Sequence, residues 1–78
     1  MIKIEFDCDK DKFDLVCEKL LDISGGKNNV IIYPRRSFNN YCGFYKGSQG
    51  FTEKFDEILS KLYEKGVVCY YSVSHINL

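Results

Sequence analysis

The hydrophobic period of this chain switches repeatedly between two and about 3.6, and that switching limits the folds open to it. Ile2, Ile4 and Phe6 alternate with Lys3 and Glu5, which is the pattern of a half-buried strand over Met1 to Asp7. Phe13, Val16, Cys17, Leu20 and Leu21 then recur at helical spacing and form the stripe of an amphipathic helix. Asp9 or Asp11 is its expected N-cap and Gly25-Gly26 its stop.

The same switch happens again downstream. Asn29 to Arg35 reads as a strand around Val30, Ile31, Ile32 and Tyr33. Pro34 inside it lacks an N–H for a ladder, so the strand belongs at a sheet edge. Arg36-Ser37-Phe38-Asn39-Asn40 supplies turn residues before a third strand, Tyr41 to Lys46, with Gly43 as a bulge or close-approach position. After Gly47-Ser48-Gln49-Gly50, a second stripe of Phe51, Phe55, Ile58, Leu59 and Leu62 predicts a helix that Gly66 stops. Val67 to Val73 is the last strand.

Strand, helix, strand, strand, helix, strand is the order of the ferredoxin-like split βαβ fold, an α+β arrangement of a four-stranded antiparallel sheet with two helices on one face. Its strand order, 4-1-3-2, puts the second strand at an edge, where Pro34 also puts it. The other sheet face is left open to solvent, a partner or a second copy. At 78 residues the chain makes one domain, 1–78, because two cores of half this size could not offset their conformational entropy. Six Tyr and six Phe give that one core enough area.

Several chemistries find little support. Cys8, Cys17, Cys42 and Cys69 are even in number, but Cys17 lies on an apolar helix face and Cys42 and Cys69 lie within strands, where a thiol acts as a small hydrophobe. Reduced thiols in a cytoplasmic setting are therefore expected. No C-x-x-C or C-x-x-H pair is present and His75 stands alone, so neither metal nor cofactor is expected. Asp7-Cys8-Asp9-Lys10-Asp11 with Glu18 has the spacing of an EF-hand opening, but Lys12 stands where that loop needs Gly. Acids in a first helical turn, favoured by the helix dipole, account for it more simply. Gly25-Gly26-Lys27 precedes a strand and lacks the helix N-terminus that phosphate binding uses. No nucleophile–base motif accompanies His75, so the chain is expected not to be an enzyme. Neither a membrane span nor a signal segment is expected from the alternating start.

Net charge is zero but unevenly spread. Residues 7 to 22 hold six acids against three lysines, whereas Ile23 to Thr52 holds no acid and carries Lys27, Arg35, Arg36 and Lys46. Interleaved with those cations are Tyr33, Phe38, Tyr41, Phe44 and Tyr45, a mixture that suits base stacking and phosphate contact, or a protein interface. If Ile32 and Phe44 point to the helices, alternation turns Tyr33, Arg35, Tyr41 and Tyr45 to the open face, joined by Tyr70, Lys3 and Glu5. The candidate binding residues are therefore Tyr33, Arg35, Arg36, Phe38, Tyr41, Tyr45, Lys46 and Tyr70.

The RNA-recognition module shares the element order, but its third-strand aromatic pattern is not matched by Asn40-Tyr41-Cys42-Gly43-Phe44-Tyr45-Lys46-Gly47 in any register. A non-catalytic protein that works through protein–protein contacts is the leading expectation, since Tyr and Arg are enriched at interface hot spots. Abundant Lys, Asn, Ile, Tyr and Phe, no Trp and one Pro suit an AT-rich genome. Stand-alone domains this short are frequent among phage and mobile-element inhibitors of host nucleoprotein complexes, anti-CRISPR proteins included. The alternatives are a module for single-stranded RNA or DNA using the aromatic and basic face, and a homodimer formed through that face.

Overall fold

The computed structural model describes residues 1–24, 30–34 and 39–76, and for Ser24, Tyr33 and Gln49 the backbone alone. Its elements are β1 (Ile2–Cys8), α1 (Phe13–Ser24), β2 (Val30–Pro34), β3 (Asn40–Tyr45), α2 (Thr52–Glu64) and β4 (Val68–His75). Short 3₁₀ turns, Lys10–Lys12 and Gln49–Phe51, lead into the two helices. The strands form one sheet in the order β2-β3-β1-β4, with every neighbouring pair antiparallel. This is the expected α+β arrangement with the ferredoxin-like strand order, and β2 with Pro34 is at an edge.

Each element forms for a local reason. In β1 burial alternates at every residue, with Ile2, Ile4, Phe6 and Cys8 inside. In α1, Val16 and Leu20 are fully buried and Phe13, Leu21 and Ile23 pack against them; in α2, Phe55, Leu59 and Leu62 do the same work, flanked by Phe51 and Ile58. Gly66 ends α2 with φ +76°. There the Gly66 N–H donates to the Tyr63 carbonyl and the Val67 N–H to the Leu62 carbonyl, a Schellman closure that satisfies the last turn. At the other end of the chain's first helix, Asp9 precedes the 3₁₀ turn in extended conformation without a side-chain capping bond; its carbonyl accepts from the Lys12 N–H at 2.9 Å. Gly25-Gly26 and the turn residues 35–38 lie outside the described residues.

The core lies between the sheet and the helices, with α2 over β4 and α1 against α2 and β2. The register fixes which residues share it. Across the sheet, Val30, Tyr45, Ile2 and His75 form one row, Ile32, Gly43, Ile4 and Val73 the next, and Pro34, Tyr41, Phe6 and Tyr71 the third. Gly43 is a close-approach position and not a bulge: a Cβ there would meet Ile32 Cγ1 at 3.0 Å, and β3 runs without a register shift.

Two expectations are corrected here. Tyr41 and Tyr45 do not face solvent; they are 7% and 4% exposed and are core residues. Tyr41 stacks on Phe13 and Phe6 with ring centroids 4.2 and 5.5 Å away, and Tyr45 meets Phe55 and Phe51, each at 5.2 Å. The alternation of β3 is opposite to that expected because Ile32 pairs with Gly43, so Ile32 and Phe44 cannot share a face. Cys69 is also not a buried strand thiol. A register shift between Asp7 and Cys8 leaves Val68 facing the core and both Cys69 and Tyr70 exposed.

Candidate functional site

With both helices on one side, the opposite face of the sheet is built from the other residue of each alternation. Its first row is Ile31, Phe44, Lys3 and Ser74; its second runs through Cys42, Glu5 and Ser72, with the Tyr33 backbone pairing to Cys42; its third is Asn40, Asp7 and Tyr70. Direct cross-strand neighbours lie roughly 5 Å apart at Cβ, so each row is one continuous strip. Ile31 and Tyr70, 59% and 47% exposed, mark two corners of the face. Phe44, Lys3, Glu5 and Asp7 are half-buried between them.

Chemically the face is divided. The first row is apolar on its β2–β3 side, with Ile31 beside Phe44, while the β1–β4 side is polar, with Lys3, Glu5, Asp7 and the serines. The Asn40 amide donates to the Asp7 carboxylate and ties the two central strands together on this side. Lys3 is the one cation in the described rows, against two carboxylates, so this surface is not basic.

Of the eight residues singled out from the sequence, Tyr70 is on this face and exposed. Lys46 is exposed just beyond β3, beside exposed Gly47 and Ser48. Tyr41 and Tyr45 are in the core. Arg35, Arg36 and Phe38 lie outside the described residues, as does the Tyr33 side chain. The sequence reading missed Ile31. Its signal was the run Val30-Ile31-Ile32: in a strand covered on one side only, three consecutive apolar residues put at least one on the uncovered side, and with Val30 and Ile32 packed inward that one is Ile31.

Cys8 and Cys42 are buried and Cys17 is half-buried, while Cys69 is exposed. Burial, with the neighbouring Cys17 thiol adding to it, pushes Cys8 up to about 11, and burial beside Asp14 pushes Cys17 up to about 11. Both are protonated at neutral pH and poor nucleophiles. Burial raises the Tyr41 phenol above its usual value as well. Among the described residues no three His, Cys, Asp or Glu side chains converge to hold a metal ion. His75 instead shares a 2.7 Å hydrogen bond with the Thr52 hydroxyl, joining the end of β4 to the start of α2. Among the described residues no helix is long and apolar enough to cross a membrane.

Comparison with protein-family models, with curated proteins and with solved structures finds no match to this chain.

Proposed function

We propose that the protein is a small non-catalytic binding protein that acts through protein–protein contacts, with the uncovered sheet face as its contact surface. The observation that carries this is Ile31, which holds an aliphatic side chain in water beside Phe44 on a face that neither described helix covers. An apolar patch rimmed by Lys3, Glu5 and Tyr70 has the make-up of an interface, with an apolar centre and a polar border.

In its narrower form, the function is inhibition of a host nucleic-acid-handling complex of the kind that phage and mobile elements target, anti-CRISPR inhibition included. The acid surplus over residues 7 to 22 supports this form, because Asp9, Asp11, Asp14, Glu18 and Asp22 are exposed and would suit a basic, nucleic-acid-binding surface. Direct binding of single-stranded RNA or DNA is the weaker alternative. Stacking needs exposed rings over a basic groove; Tyr41 and Tyr45 are enclosed, and the described open face carries one lysine against two carboxylates.

The test is affinity capture from host lysate with the intact protein, repeated with Ile31→Asp and with Phe44→Ala. A specific partner lost from both variants is expected, together with no saturable binding of single-stranded oligonucleotides at low salt. Capture that is indifferent to both substitutions, or tight salt-sensitive oligonucleotide binding, would overturn the assignment.

A further inference from the structure

The sheet has a second feature that the uncovered face does not use: the outer edge of β4. Among the described residues β4 pairs with β1 alone. The Ile76 N–H donates to the Met1 carbonyl at 2.9 Å, which makes Met1 and Ile76 a hydrogen-bonded pair of the ladder. By antiparallel alternation Ser74, Ser72 and Tyr70 bond inward to β1, so Tyr71 and Val73 turn their N–H and C=O groups outward. Natural edges are usually blunted by lysine, proline or an inward charge. The stretch Tyr70-Tyr71-Ser72-Val73-Ser74 has none of these.

Above this edge, on the helix side, runs a groove of about 580 Å³ between α2 and β4 with Val73 in its lining. Its α2 wall is Glu53, Asp56, Glu57 and Glu64, all exposed, and Lys61 is held by Glu57 at 3.1 Å. Four carboxylates thus face one already paired ammonium. On the other side of the edge the neighbours are Tyr70, Ser72 and Ser74, which carry no charge.

We propose that the β4 edge binds an extended segment of a protein partner as a fifth strand, and that the segment carries Lys or Arg at every second position. Main-chain hydrogen bonds to Tyr71 and Val73 would hold it, and its alternate side chains would rise into the acidic groove, which is how strand addition couples affinity to specificity. A second copy fits less well. Pairing β4 with another β4 would place the acidic α2 walls of two copies side by side, like charge against like. The proposal goes beyond the open-face assignment and stands if Ile31 and Phe44 prove silent.

The experiment uses the intact protein, isotope-labelled, titrated at low salt with a synthetic peptide of about ten residues alternating Lys and Thr. Controls are the same peptide with Glu for Lys, and the Lys peptide N-methylated at alternate amides. The expected result is saturable binding, with shifted and exchange-protected amides at Tyr71 and Val73. The Glu peptide and the N-methylated peptide should each bind at least about tenfold more weakly. Glu53→Lys with Asp56→Lys, both at exposed positions that leave the core intact, should cost the Lys peptide a similar factor. Any of the following overturns it: equal binding of Lys and Glu peptides, indifference to N-methylation, shifts confined to another surface, or a β4-edge dimer in sedimentation that excludes the peptide.

Discussion

Tyr45 and Phe44 are adjacent on β3, yet one is enclosed among Phe51 and Phe55 under α2 and the other is half-buried on the uncovered face. The difference between the two faces of this strand separates what builds the fold from what is left for contact. Under the helices, Tyr41, Gly43 and Tyr45 alternate large, small, large. The rings fill the two ends of the layer, and Gly43 lets Ile32 into the middle. On the other face Asn40, Cys42 and Phe44 sit between Ile31 on one side and Lys3, Glu5 and Asp7 on the other.

The largest effects should come from breaking the enclosed face. Phe55→Ala and Tyr41→Ala should each destabilise the protein by about 3–5 kcal/mol in denaturant unfolding, the cost of a buried aromatic and the cavity it leaves. Ile31→Ala across the sheet should stay within about 0.5 kcal/mol of the parent. A neutral Tyr41→Ala would mean that the two faces have been exchanged. Next is Gly43→Ala, whose methyl must displace half-buried Ile32; overpacking of this kind costs about 1–3 kcal/mol. Gly66→Ala should cost about 1 kcal/mol, because only the left-handed conformation closes α2.

The cysteines sharpen the comparison more gently. Cys8 and Cys17 keep their protons up to about 11 in the folded protein, whereas in the unfolded chain they ionise nearer 9.0. In that interval the unfolded state has released protons that the folded state retains. The contribution of these two thiols to stability is therefore undiminished below about pH 9 and is lost as pH rises toward 11. Unfolding midpoints measured across that range should decline. In native protein Cys69 should be alkylated well before buried Cys8 and Cys42.

The architecture was legible in the sequence because period, turn residues and proline pointed the same way. Ile2, Ile4 and Phe6 gave β1 its face, the two helical stripes gave α1 and α2, and Pro34 put β2 at the edge. The facing of β3 was not legible from β3 alone. Its sequence, Asn40-Tyr41-Cys42-Gly43-Phe44-Tyr45, puts aromatics on both alternations, so hydrophobicity does not choose between them. Pairing with β1 and β2 chooses, through Phe6 opposite Tyr41 and Ile32 opposite Gly43. Cys69 misled for a related reason, since a register shift moves a residue off its alternation without any mark in its own sequence. The candidate site suffered most, because it depended on the facing of one strand.

The claim that the uncovered face makes the contacts is tested most directly by capturing a partner on three proteins side by side: the parent, Ile31→Asp and Tyr41→Phe. Loss of the partner from Ile31→Asp, with retention by the parent and Tyr41→Phe and with all three equally folded by circular dichroism, is the predicted result. Undiminished capture by Ile31→Asp would contradict it.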